Sequence, residues 1–152
     1  MIRISKNTNE LNARVSLPAS KSISNRLLIL QFHYGGSLQI GNLSHSDDTV
    51  LLASLLDLVR QYQANGSAGI LHLDAHNAGS VLRFMTALLA NTRGHFYLTG
   101  HERMKDRPVG PLVEALNSIG ADVEYVERVG FAPLLIKGHS LEGGNVRLDA
   151  SQ

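Results

Sequence analysis

The sequence predicts a mixed fold of class α/β (α+β), with some parallel strands joined through helices. Two observations carry this. Apolar residues recur at helical spacing in some segments, while short β-branched and aromatic runs fill the gaps between them. The order reads strand, helix, strand, helix, strand, then helix, strand, helix, strand, strand. The size of the chain supports it: 152 residues with 43% hydrophobic content suffice for one domain with a real core.

Ile2–Ile4 and Ala13–Leu17 read as short strands separated by a polar turn. The first helix is expected over Ser22–His33. Its Leu27-Leu28-Ile29-Leu30 stretch is apolar almost all round, so burial on more than one side is expected. Gly35-Gly36 ends it, and Ser37–Ile40 reads as a strand. Ser44–Asp48 opens a second helix to about Gln61, with Leu51, Leu52, Leu55, Leu56 and Val59 at helical spacing. Asn65-Gly66 marks a turn and Ile70–Leu73 a strand. Asn77–Ser80 opens a third helix over Val81–Asn91, and His95–Thr99 is a strand. Gly100–Gly110 is expected to be a loop, with Pro108 in the first turn of a helix over Val109–Ile119. Val123–Val126 and Leu134–Lys137 read as strands joined through Gly130, and Asn145–Leu148 as a further strand.

Composition excludes several classes of function. The formal charge is +1, so the broad basic field of a nucleic-acid binder is absent. No apolar run approaches membrane-spanning length. Met1–Glu10 is polar and lacks the apolar core of a signal peptide, so a cytoplasmic location is expected. With no cysteine, disulfides, thiolate catalysis and cysteine metal sites are ruled out. His72 and His76 stand too isolated to argue for zinc, and neither a metal nor an organic cofactor is expected.

Any anion site must therefore be local, and Leu17-Pro18-Ala19-Ser20-Lys21-Ser22-Ile23-Ser24-Asn25-Arg26 is the place for one. A helix start leaves backbone N–H groups unpartnered at the positive end of the dipole. Serines are ordinary there. A lysine is not, unless an anion shares the site. Ser22 and Arg26, four residues apart, share a helical face. A capped helix with a solvated lysine is the plainer account. Asp47 and Asp48 have an equally plain one, as residues favoured at a helix start. Arg83 sits on an otherwise apolar helix and can reach back four residues to Gly79, or pack its stem and send its head to solvent. Arg103, Lys105 and Arg107 are interleaved with Glu102 and Asp106, which by itself suits a solvated charge cluster.

The order of these segments resembles that of one family. The Leu17–Arg26 stretch resembles the LPGSKSxSNR signature of 5-enolpyruvylshikimate-3-phosphate (EPSP) synthases, with Ala19 in place of a glycine. Ser46–Thr49 resembles the family's SDDT, and Asn77–Arg83 its NAGTxxR with Ser80 for threonine. Leu98–Gly110 resembles LTGxxRMxxRPxG, Pro133-Leu134 the PPL strand, and Asp149-Ala150-Ser151 the start of DGSxSSQ. The likeness runs from about Val15 to the last residue. The sister family, UDP-N-acetylglucosamine enolpyruvyl transferase, usually has lysine-asparagine where this chain has Lys21-Ser22, and often a reactive cysteine, so it is the weaker match. A free-standing phosphate-binding module using the same helix ends is the other alternative.

The resemblance implies a transferase that moves the enolpyruvyl group of phosphoenolpyruvate to the 5-hydroxyl of shikimate 3-phosphate and releases phosphate. It implies that Lys21 contacts both substrates, that Ser22 and Arg26 hold shikimate 3-phosphate, and that Asn77, Gly79 and Arg107 line the phosphoenolpyruvate pocket. Arg83, Arg103 and Asp48 support it. Family members are two-lobed, monomeric and built from repeated βαβαββ units. On that plan residues 1–14 belong to the other lobe, and residues 15–152 form about two units of the substrate-binding lobe. The chain then reads as a fragment without the proton-handling groups, and is expected not to turn over. Ala19 and Phe84, the latter where the family commonly has proline, are departures beside the site.

Overall fold

A computed structural model of the chain describes residues 14–35 and 37–146. Its elements, in order, are α1 (Lys21–His33), α2 (Asp47–Ala64), β1 (Ile70–Asp74), α3 (Gly79–Ala90) and β2 (Gly94–Thr99). Then come α4 (Glu102–Lys105), α5 (Gly110–Ser118), β3 (Asp122–Tyr125) and β4 (Leu134–Gly138). From β1 onward, with α4 as a one-turn insertion, this is one βαβαββ unit. The four strands lie in the order β1-β2-β4-β3. β1 and β2 are parallel, as a helical crossover through α3 requires; β4 runs antiparallel to both β2 and β3.

The alternation of apolar residues along the strands decides which face is covered. Leu73, Leu98 and Leu134 lie side by side across β1, β2 and β4, and Phe96, Ile136 and Val123 across β2, β4 and β3. All six are buried, in one cluster with Leu52, Leu56 and Val59 of α2, Leu82, Met85 and Leu89 of α3, and Val113 of α5. The opposite face carries Lys137, paired with Asp122 and Glu124, and the stacked rings of His72 and Tyr97. A two-layer arrangement follows, with helices on the apolar face of the sheet. At Gly138 a β-carbon would overlap the carbonyl oxygens of Thr92 and Leu89, so the end of β4 comes against the turn that follows α3 only because no side chain is there.

Several expectations are corrected. Arg14–Leu17 and Ser37–Ile40 contain no strand among the described residues, and Val15 and Leu17 are largely exposed. A strand needs a ladder partner for its backbone groups, and the described residues supply none there. Asn145 and Val146 are also irregular; the rest of that expected strand, like Ile2–Ile4 and Ala13, lies outside the described residues. The apolar stretch of α1 is not buried all round: Leu28 is buried, whereas Leu30 is about half exposed; among the described elements α2 packs most against this helix, and α3 less. The Gly100–Gly110 segment contains α4 rather than being wholly a loop. Pro108 precedes α5, whose first turn is occupied by Pro111 instead.

Candidate functional site

Three helix starts meet at one carboxylate. Ser20 caps α1, its hydroxyl accepting from the Ile23 N–H, and this leaves Lys21 as the first helical residue. Lys21 Nζ donates to Asp48 Oδ2 at 3.1 Å, and Ser80 Oγ donates to the same oxygen at 3.0 Å. The N-terminal turns of α1, α2 and α3 are thereby tied together. Asp48 also lies in the first turn of α2, where a negative charge suits the helix dipole. An exposed ion pair of this kind contributes less than about 1 kcal/mol, so its importance is in position rather than stability.

The Ser22–Arg26 face forms as predicted. Arg26 Nη1 donates to the Ser22 carbonyl at 2.9 Å and also to the Ser22 hydroxyl. Its guanidinium lies 5.7 Å from the Phe84 ring centroid, within cation–π range, so the residue that departs from the family pattern becomes a platform joining α3 to α1. Arg83 reaches back to the start of its own helix. Its Nη1 donates to the Gly79 carbonyl at 3.3 Å and its Nη2 to the Pro108 carbonyl at 2.9 Å. Arg107 lies over Gly79 so closely that a β-carbon there would sit 2.7 Å from Arg107 Nη1 and 3.2 Å from Arg83 Nη1. Gly79 thus leaves two guanidinium groups in contact with the opening turn of α3. Asn77 and Asp48 line a cleft of about 330 Å³ together with Asp47, Leu51, His76 and Ala78. Arg103 is exposed on α4, and among the described residues it has no hydrogen-bond partner.

Two features escaped the sequence reading. The first is what the inner residues of the Lys21–Arg26 segment do. Ser24 and Asn25 are buried: Ser24 Oγ accepts from the Ser44 N–H at 2.9 Å, and Thr49 Oγ1 donates to Asn25 Oδ1 at 2.8 Å. They fasten α1 to the start of α2. The available signal was spacing: Ser24 and Asn25 lie on the same helical face as Leu28, four and three residues on. The second is at the ends of β1 and β2. His76 is not isolated, because His101, twenty-five residues on, places Nε2 3.1 Å from His76 Nδ1, with Asp74 beside them.

Fold and site define an α/β domain in which helix N-termini, three arginines and a lysine gather at one edge. The chain belongs to the EPSP synthase (3-phosphoshikimate 1-carboxyvinyltransferase) family, whose model matches residues 5–152. It is 40% identical over 159 residues to the 3-phosphoshikimate 1-carboxyvinyltransferase of Aliivibrio fischeri (strain ATCC 700601 / ES114), covering 94% of this chain and 37% of the relative. The same enzyme of Bacteroides fragilis (strain YCH46) is 41% identical over 140 residues, covering 92% and 32%. In three dimensions the chain is similar to the EPSP synthase from Acinetobacter baumannii, with a TM-score of 0.68 at 20% identity, over 91% of this chain and 35% of that one. The chain therefore spans about a third of the length of the curated relatives it matches.

Proposed function

We propose that this chain is the part of a 3-phosphoshikimate 1-carboxyvinyltransferase that receives two phosphorylated carboxylic acids. The enolpyruvyl group of phosphoenolpyruvate passes to the 5-hydroxyl of shikimate 3-phosphate, and inorganic phosphate leaves. Ser22 and Arg26 hold shikimate 3-phosphate, Lys21 touches both substrates, and Asn77, Gly79 and Arg107 line the phosphoenolpyruvate pocket with Arg83 and Arg103 in support. Residues 1–14 are assigned to a second lobe, residues 15–152 form part of the substrate-binding lobe, and the complete enzyme works as a cytoplasmic monomer. No group in this chain is assigned the proton transfers.

The observation that carries the reading is the tie of Lys21 and Ser80 to one oxygen of Asp48, which brings three helix starts to one point. Helix N-termini and fixed cations suit anions. Guanidinium forks match carboxylate and phosphate edges, and lysine adds a point charge. Both substrates carry both groups. Negative charge developing on the reacting unit is stabilised by cations already in place. The test is a titration of the isotope-labelled chain with shikimate 3-phosphate, followed by backbone amide shifts. Saturable shifts at Ser22 and Arg26 mean that the site is preformed in this chain; an intact fold with no shift there means that binding needs the second lobe and removes any binding function from the chain alone, and saturable shifts confined to other residues overturn the assignment of this edge.

A further inference from the structure

The parallel pairing of β1 and β2 brings their carboxyl ends side by side, with Asp74 opposite Thr99. In open α/β sheets this edge is where ligands bind. Asp74 closes a tight turn: its Oδ1 accepts the His76 N–H at 2.7 Å, and His76 takes a left-handed backbone with φ of 47°. The His76 carbonyl then accepts the His101 N–H at 3.0 Å. Two backbone ties thus bring the rings together. His76 Nδ1 and His101 Nε2 are 3.1 Å apart, and Asp74 Oδ2 is 3.7 Å from His76 Nδ1. One ligand atom from each of the three residues lies within 4.8 Å of the others.

We infer that Asp74, His76 and His101 bind a divalent transition-metal ion of the zinc type. Zinc sits about 2.0–2.1 Å from imidazole nitrogen and carboxylate oxygen, so tetrahedral ligand atoms stand about 3.3 Å apart. The two nitrogens are already within a few tenths of an ångström of that separation, Asp74 Oδ2 stands 3.7 Å from His76 Nδ1, and all three ligand atoms lie within 4.8 Å of one another, so a side-chain adjustment of Asp74 completes the set. Two imidazoles with one carboxylate favour zinc, nickel, cobalt or copper over magnesium and calcium, which prefer oxygen ligands. The Asp74–His76 turn supplies the support that orients a ligand ring. All three side chains face solvent, so the ion enters freely and keeps an open position for water or an anion. His76 also borders the cleft beside Asn77, so the ion adds positive charge at its rim. This inference stands apart from the substrate assignment.

The test is a calorimetric titration of the 152-residue chain with zinc, repeated with cobalt to read its visible absorption. A single site is expected. His101→Gln and His76→Asn each weaken it by about tenfold or more, asparagine being chosen because it tolerates the left-handed backbone. His72→Gln, on the neighbouring strand position but outside the cluster, leaves it unchanged. Zinc shifts of the His76 and His101 ring signals in the unmutated chain provide a readout that needs no variant to fold. Absence of binding by the folded chain at millimolar zinc overturns the inference. So does affinity that survives both His76→Asn and His101→Gln.

Discussion

Replacing Thr49 by valine tests whether the inner face of the Lys21–Arg26 turn is a structural clamp. Asn25 is 1% exposed and Thr49 2%, and the 2.8 Å bond between them joins α1 to α2. Valine keeps the shape of threonine, so no large cavity opens. It removes the bond of the Thr49 hydroxyl to Ser46 Oγ, with a net contribution of about 1 kcal/mol, and the bond to Asn25, which strands the buried Asn25 side-chain carbonyl at a cost of about 1–3 kcal/mol. Some of that is recovered if the side chain relaxes, so a loss of about 2–3 kcal/mol is expected. For a chain of this size that is a fall in Tm of roughly 5–10 °C. Thermal unfolding by circular dichroism reads it directly. Asn25→Ala and the double variant complete a cycle. Because both single variants break the same bond, the double variant should lose less than the sum of the two. A Thr49→Val protein that melts like the unmutated chain, or strict additivity in the cycle, refutes the clamp.

Two further outcomes follow from the geometry. Gly79→Ala sets a methyl group against Arg107 and Arg83 while leaving the core untouched. Stability should stay within about 1 kcal/mol of the original, since alanine favours a helix, whereas affinity for phosphoenolpyruvate in an amide-shift titration should fall about tenfold as the charge-assisted contact of Arg107 is displaced; equal affinity would remove Arg107 and Gly79 from the pocket. The Tyr125 hydroxyl is shielded from solvent with no hydrogen-bond partner among the described residues; burial, with the nearby Glu114 carboxylate, raises its pKa above the ordinary 10.0. The folded state therefore holds the phenol proton more tightly than the unfolded chain: its contribution is complete below about pH 10 and is lost as pH rises through the higher folded value. Tyr125→Phe should match or exceed the unmutated chain near neutral pH, and denaturant titrations should show a shallower decline above pH 10; parallel declines would contradict this.

The helices were legible because each carries its own instructions. Ser20 before Lys21, the acidic pair in the first turn of α2, and the periodic leucines that follow are all local. Strands β1 to β4 were legible for a related reason, since their apolar residues match a face that is covered. The strands expected at Arg14–Leu17 and Ser37–Ile40 failed because alternation states only a willingness to pair; whether a partner arrives is settled elsewhere in the chain. α4 is a single turn, too short for any period to show.

The site divides along the same line. Its charged residues could be picked out one at a time, since a lysine at a helix start and an arginine on an apolar helix are locally anomalous. Their partners could not: Asp48 lies 27 residues from Lys21 and 32 from Ser80, and His101 lies 25 from His76. Those pairings follow from topology, chiefly from the parallel β1–β2 pair that sets two loops side by side. Within the Lys21–Arg26 turn the two kinds of information overlap. Ser22 and Arg26 face solvent, while Ser24 and Asn25 bond to Ser44 and Thr49 around the start of α2, and Leu28 joins the core, which fixes the helix that presents them. A run of small polar residues that looks uniform in sequence therefore performs two tasks. The buried residues determine where the exposed ones stand, so a variant at Asn25 or Thr49 should shift the amide signals of Ser22 and Arg26, in the proposed anion site, without touching either residue.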